Sequence, residues 1–249
     1  MTANRPTVAG LLRSEALKAA TMPATYGLLA AILVMTALNS ALALSDPHAN
    51  LAVAHTVAHA LSAGRDFTVL FVALGAVGAA AEFRHATAIP TFLATPRRAR
   101  VVAAKTTAYL TLGLLVACAA AAVQLAIVLP WAAAHHHALT PWDGAVLDPV
   151  LTGAIAGASY AALGVAIGLL VRNQLVALMV AFGWFTVAEA ALAILIPGLS
   201  RFLPGGALSG VDTPGLRLLP LYAAVPLVAL WALAIAALAL RTTLRRDIA

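Results

Sequence analysis

The most conspicuous chemical group in the sequence is Glu189, which lies in the apolar run from Gln174 to Ile196. A carboxylate in the centre of a hydrocarbon layer costs about 2.5 to 3.5 kcal/mol, so we expect it to face a partner or a wet cavity. Two interpretations stay open. Glu189 is either a gating or substrate contact, or it makes a structural hydrogen bond to a neighbour such as Thr186 or to the loop that follows.

The histidines form two groups whose spacing could bind a metal ion. His55 and His59 are four residues apart, and His135, His136 and His137 are consecutive. Metal ligands must converge on one ion, and adjacent histidines cannot all do so easily. Because no acidic residue stands at ligand spacing either, we expect no metal and no other cofactor on this chain.

One triplet could supply a nucleophile. Gly157, Ala158 and Ser159 are similar to the nucleophile motif of rhomboid intramembrane serine proteases, but Tyr160 replaces the glycine that normally follows. The last apolar run contains no histidine to act as a base, so that catalytic dyad cannot be assembled. A proton-coupled secondary carrier is a further alternative. It needs a relay of titratable groups, and Glu189 alone is too few.

A site for ATP is missing from the sequence. A P-loop needs the tripeptide Gly-Lys-Ser or Gly-Lys-Thr to hold phosphates. The two lysines of the chain, Lys18 and Lys105, follow Leu17 and Ala104. If ATP drives this protein, a separate polypeptide must therefore bind ATP and Mg.

The composition indicates what must position these groups. Of 249 residues, 63% are hydrophobic and only 10% are charged, so lipid is the expected main solvent. A chain with long unbroken apolar runs has to cross lipid as helices, since unpaired backbone groups cannot be hydrated there. Six windows meet or approach the length of about 20 residues that a span needs. They are Tyr26 to Leu44, Phe67 to Ala81, Thr106 to Trp131, Val150 to Val171, Gln174 to Ile196 and Leu221 to Leu240.

The basic residues predict the orientation. With both termini in the cytoplasm, twelve of the fifteen Lys and Arg residues fall on inside segments, and Arg65, Arg201 and Arg217 fall outside. This asymmetry is the usual positive-inside pattern of membrane proteins. It also accounts for the net charge of +6 better than nucleic-acid binding does, and we expect no nucleic-acid partner.

Two segments outside the spans have distinctive patterns. Residues Val8 to Ala20 place apolar side chains on or near one helical face and Arg13, Ser14, Glu15 and Lys18 elsewhere, as in a helix lying in the membrane interface. The stretch from Pro197 to Pro220 has four prolines and five glycines among apolar residues, so a broken or re-entrant hairpin in the outer leaflet is expected. The apolar face expected for the helix Val8 to Ala20 consists of Leu11, Leu12, Ala16 and Ala19.

Small residues follow one face of the fourth window. Gly153, Gly157, Gly164 and Gly168 form two pairs at small-xxx-small spacing, which favours close helix packing, either within the chain or across a dimer seam. Gln124 in the third window is expected to be a polar packing contact of the same modest kind.

The loop from Glu82 to Lys105 (EFRHATAIPTFLATPRRARVVAAK) resembles the segment between the second and third spans of ABC-2 type transporter permeases. That pattern is an acidic residue, a basic residue, an apolar stretch with Thr, a Pro, an Arg, and then Ala-Lys. The matching residues are Glu82, Arg84, Thr87, Thr91, Phe92, Leu93, Pro96, Arg97, Arg98, Ala104 and Lys105. The interfacial helix, six spans and broken hairpin extend the resemblance over residues 1–249, as one transmembrane domain.

The resemblance implies a function and its partners. The chain would be the permease subunit of an ATP-driven exporter in a bacterial plasma membrane, moving a lipophilic drug, antibiotic, peptide or lipid. Ala86 to Leu93 would form a coupling helix that docks on ABC ATPase subunits, and a second permease copy or a related permease would complete the pore. The coupling residues implied are Glu82, Arg84, Thr87, Ile89, Thr91, Phe92, Leu93, Pro96 and Arg97. The half-apolar composition of this loop agrees, since exposed apolar surface needs a cover; the alternative is that the loop lies on anionic lipid.

Overall fold

The structure is a computed structural model of an all-helical chain. It describes residues 8–45, 56–57, 59–61, 68–84, 98–136, 139–140, 142–196, 198–208 and 221–246. These residues contain nine α-helices of five residues or more and no β-strand. The helices are α1 (Val8–Thr21), α2 (Pro23–Leu44), α3 (Thr68–Arg84), α4 (Arg98–Ala134), α5 (Gly144–Val171), α6 (Gln174–Phe182), α7 (Glu189–Leu195), α8 (Pro204–Leu208) and α9 (Leu221–Arg246).

Four helical stretches are long and apolar enough to cross a bilayer: α2, α4, α5 and the continuous helix Gln174–Leu195. These four agree with four of the six predicted windows, and the protein is membrane-embedded. The other two windows are also helical, but their apolar helical parts are shorter than those of the other four. Helix α3 has 17 residues, about 25 Å at 1.5 Å per residue, against a hydrocarbon layer of about 30 Å. In α9 the apolar helical part is Ala223–Ala239. Six spans therefore stay a prediction.

Helix α5 is the central element of the bundle, and α3, α4 and α9 pack around it. Its small residues make this possible. A Cβ at Gly164 would overlap the carbonyl oxygen of Val72 on α3, and one at Gly168 would overlap the carbonyl oxygen of Ala76, though less closely. Gly157 contacts α3 and α4 in the same way, whereas Gly153 has no atom within 4 Å of its Cβ position. Three of the four predicted glycines thus serve packing within the chain.

Helix α1 confirms the predicted N-terminal helix but corrects its buried face. Chain direction changes at Met22, whose backbone is extended, and Pro23 then starts α2 at a position that proline favours. Glu15 and Ala19 are buried, while Ala16 is exposed. Glu15 was predicted to lie away from the apolar face, which was wrong because its carboxylate pairs with a buried lysine 90 residues away. Helical periodicity cannot reveal such a contact.

The helix that follows α5, Gln174–Leu195, is continuous but irregular. Arg172, with a left-handed φ of 58°, ends α5, and the side chain of Asn173 accepts hydrogen bonds from the backbone N–H groups of Leu175 and Val176 at the start of α6. A π-helical stretch, Gly183–Ala188, joins α6 to α7. A 3₁₀ turn, Ser200–Phe202, and α8 follow. They occupy the first part of the predicted outer hairpin, while residues 209–220 lie outside the described residues.

Candidate functional site

Four charged side chains form a closed ion cluster at one end of the bundle. The Nζ of Lys18 donates to Oε1 of Glu15 at 2.8 Å and to Oε1 of Glu82 at 2.6 Å. The Nζ of Lys105 donates to Oε1 of Glu82 at 3.0 Å and also to Oε2 of Glu15. Each carboxylate therefore accepts from both ammonium groups, so among these four described residues two positive charges face two negative ones.

Three helices bring this ion cluster together. Glu15 and Lys18 are three residues apart and share one face of α1. Glu82 lies in the last turn of α3, and Lys105 lies about two turns into α4. The side chain of Lys105 is 1% exposed, those of Glu15 and Glu82 are 4% and 6% exposed, and that of Lys18 is 35% exposed. Charges this deeply buried are tolerated only when each has a partner.

The electrostatic environment shifts the two groups on α1 in opposite directions. Burial raises the pKa of Glu15 and is the largest single influence, but the charge and hydrogen bond of Lys105, with those of Lys18, outweigh it, so the pKa lies below the usual 4.5. Burial lowers the pKa of Lys18, and its hydrogen bonds to Glu15 and Glu82 raise it further than burial lowers it, so it exceeds 10.5. Both charged forms are therefore favoured at neutral pH.

These shifts predict how the attachment of α1 depends on pH. The lowered pKa of Glu15 stabilises the attachment fully above pH 4.5, and this contribution is lost as pH falls through the lowered value. The raised pKa of Lys18 stabilises it below pH 10.5, and that contribution is lost as pH rises through the raised value. A spin label at Leu17→Cys, with Cys118 replaced by Ala, should stay immobile between these limits and become mobile at acid pH.

A matched variant separates this effect from general acid unfolding. Glu15→Gln removes the group that titrates, so its label should lack the acid transition of the parent. The same acid transition in both proteins would show that Glu15 does not control the attachment.

The predicted coupling residues divide between the described and undescribed parts of the chain. Glu82 is a member of the ion cluster. Arg84 is exposed, and its Nη1 donates to Oε1 of Gln174 at 3.2 Å. The structure thus ties Glu82 and Arg84 to different neighbours. The other seven residues lie outside the described residues, as does the predicted helix Ala86 to Leu93: Thr87, Ile89, Thr91, Phe92, Leu93, Pro96 and Arg97.

Glu189 lies where the π-helical stretch gives way to α7, and three donors converge on its carboxylate. The Nε1 of Trp184 donates to Oε1 at 2.7 Å, the backbone N–H of Gly205 to the same oxygen at 3.0 Å, and that of Gly206 to Oε2 at 3.0 Å. Thr186 instead donates to the carbonyl of Phe182. The structural interpretation therefore has identified partners in the following loop, and a gating or substrate role stays a prediction.

Two other side chains hold the same short segment. The hydroxyl of Tyr160 lies 3.0 Å from the carbonyl oxygen of Pro204 and 2.9 Å from that of Gly205, and it can donate to one of them at a time. The Nε1 of Trp231 donates to the carbonyl of Phe202 at 3.1 Å. Tyr160, the residue after Ser159, thus has a packing role. Sequence reasoning gave Tyr160 as a polar packing contact of the fourth window, but it did not identify the partners, because these are backbone groups.

The remaining polar candidates also make structural contacts. The Nε2 of Gln124 donates to the carbonyls of Ala60 and Leu61 at 3.3 and 3.0 Å, as expected of a packing contact. The ring of His135 stacks on Trp131, with 4.4 Å between ring centres. Within the described ranges, no three His, Cys, Asp or Glu side chains gather into a metal site. His55 and His137 lie outside those ranges.

Sequence reasoning placed Lys105 in the loop pattern but missed Glu15 and Lys18 as site residues. The available signal was the pair of opposite charges at i and i+3 on α1, together with opposite charges at the two ends of one loop. Such charges need partners if the helix ends pack closely.

Fold and site together define a membrane-embedded helical protein in which a buried ion cluster joins the N-terminal helix to both ends of the segment 85–97. No protein-family model matches the chain, and no curated protein matches it.

Proposed function

We propose that this chain is the permease subunit of an ATP-driven exporter of the ABC-2 type, with six spans, both termini in the cytoplasm and ATP hydrolysis on a separate ATPase. The ion cluster is the observation that carries the proposal. Glu82 precedes the segment 85–97 and accepts from Lys18 on α1, and Lys105 follows the segment and donates to Glu15 on α1 and to Glu82. The residues that flank the proposed docking segment are thereby joined in one ion cluster with α1.

This anchoring gives the segment a mechanical connection to the bundle. A displacement of 85–97 by a closing ATPase would move the end of α3 and the start of α4 together, since Glu82 on α3 pairs with Lys105 on α4. Helix α1 would move with them. Helix α3 packs closely on the central α5 through Gly75, Gly164 and Gly168, so the stroke would reach the centre of the bundle. A substrate path lined by lipophilic surface would then change from inward-facing to outward-facing access, because the stroke shifts the population between these two states.

The sequence of the segment supplies the docking surface. Ile89 and Phe92 are three residues apart and would share a face of a short helix, with Pro96 after its end. Phe92 is the largest apolar side chain in the segment, and buried aromatics commonly dominate interfaces at about 2 kcal/mol or more.

We therefore expect Phe92→Ala to weaken binding of the ATPase by about 30-fold or more. Cargo-stimulated ATP hydrolysis should fall with it, while the permease still inserts, because no span is changed. Co-purification from native membranes, followed by ATPase assays in vesicles, measures both. The matched control is Phe182→Ala, which removes an exposed phenylalanine from α6. Normal ATPase capture and transport by the Phe92 variant would show that this segment is not the docking element.

A further inference from the structure

A second feature at the same end of the bundle is a cavity of about 460 Å³ between the last turn of α3 and the turn that joins α5 to α6. Its walls include Phe83, Arg84, Arg172, Gln174 and Leu175. It is separate from the ion cluster, none of whose four residues lines it.

The polar wall of the cavity is positively charged. Two guanidinium groups line it, and its described lining contains no Asp or Glu. The guanidinium of Arg172 lies over the ring of Phe83, 5.7 Å from its centre, and Arg84 is held by its hydrogen bond to Gln174. Both arginines are therefore positioned around one space. The continuous helix Gln174–Leu195 begins at this wall, and the positive end of its dipole adds to the same potential.

The other wall is apolar and continues along the outside of α6. Leu175 is 64% exposed and Met179 is 65% exposed, and Phe182 follows one turn later with 46% of its surface exposed. Residues at this spacing form one stripe of a helix. Since this helix is long and apolar enough to cross a bilayer, the stripe faces acyl chains. A charged cavity at the end of a lipid-facing stripe matches the two parts of a phospholipid.

We propose that this cavity binds the phosphate of an anionic phospholipid, with Arg84 and Arg172 at the headgroup and an acyl chain along Leu175 and Met179. Guanidinium groups suit phosphate because they donate two parallel hydrogen bonds. Basic pockets between membrane helices recognise anionic headgroups on the same grounds. The site is independent of the exporter proposal, because binding of lipid needs neither an ATPase nor a cargo.

Competition in nanodiscs of equimolar phosphatidylglycerol and phosphatidylcholine tests the proposal. The purified full-length chain should retain phosphatidylglycerol preferentially, as measured by native mass spectrometry. An arginine that pairs with an anionic headgroup contributes roughly fivefold, so Arg84→Gln with Arg172→Gln should reduce the preference about 30-fold. The matched control is Arg13→Gln with Arg100→Gln, which removes two exposed arginines from α1 and α4. It should keep the parental preference.

Further arms identify the source of the phosphate and protect the test against misfolding. In nanodiscs of phosphatidylcholine alone, inorganic phosphate should not stabilise the parent against heat. Stabilisation by inorganic phosphate without a phosphatidylglycerol preference would overturn the lipid assignment in favour of a soluble anion. If the double variant does not fold, Arg84→Gln alone, which changes an exposed residue, should lower the preference about fivefold. An unchanged preference in the double variant Arg84→Gln with Arg172→Gln, or in Arg84→Gln alone, would overturn the proposal.

Discussion

Replacing Lys105 with methionine is expected to lower the free energy of unfolding by about 3 to 5 kcal/mol. The lysine side chain is 1% exposed and binds both Glu15 and Glu82. Its removal takes away one of the two ammonium groups that bind these buried carboxylates, so their negative charge is compensated less well. Methionine keeps most of the volume, which confines the change to the charge. Unfolding of the purified protein in mixed micelles, followed by circular dichroism, measures the loss.

Two control variants make this result specific. Lys18→Met removes the other ammonium group, but its side chain is 35% exposed, so solvent screens the remaining charges and the expected loss is about 1 kcal/mol or less. Combining Lys105→Met with Glu82→Gln restores neutrality and should recover part of the lost stability. Equal losses for Lys105→Met and Lys18→Met, or no recovery in the double variant, would contradict the assignment of Lys105 as the central cation.

Gly164→Ala is expected to destabilise the bundle by about 1 to 3 kcal/mol, although alanine favours helices more than glycine does. The added methyl group would overlap the carbonyl oxygen of Val72 and lie 2.9 Å from the backbone nitrogen of Ala76. Both atoms belong to the backbone of α3 and cannot rotate away, so α3 and α5 must separate. Thermal unfolding of the variant and the parent in the same detergent gives the difference.

The same substitution on the same helix provides the control. Gly153 has no atom within 4 Å of its Cβ position, so Gly153→Ala should be neutral or stabilising by up to about 1 kcal/mol. The sign of the effect should thus differ between two glycines eleven residues apart. If both variants were equally stable, the close approach of α3 and α5 would not limit the packing.

Apolar length was the part of the fold that could be predicted from sequence. Uninterrupted runs such as Tyr26 to Leu44 and Val150 to Val171 predicted helices close to those observed, because hydrocarbon leaves the backbone no other way to satisfy its hydrogen bonds. Where the apolar run was short, as in α3, the window located a helix but not a span. For a short apolar run, composition predicts a buried helix but does not show whether that helix crosses the bilayer.

The site was less accessible to sequence reasoning, because its contacts join residues far apart in the chain. Glu15 and Lys105 are 90 positions apart, and no spacing rule relates them. Glu189 shows the same limit differently. The cost of placing its carboxylate in lipid predicted that it has a partner, but not which one. Two of the donors are the backbone N–H groups of Gly205 and Gly206. Every residue type other than proline carries such a group, so the sequence does not mark it.

The way the segment 202–206 is held has a consequence for how this protein can be altered. Glu189, Tyr160 and Trp231 all bind main-chain atoms of the segment, so these hydrogen bonds require a backbone path and not a particular sequence. Gly205 is the exception, because a Cβ there would run into the carboxylate of Glu189. An engineer could therefore graft a different apolar peptide of equal length into this position. Such a graft must preserve Gly205, a residue other than proline at position 206, and the three holding side chains.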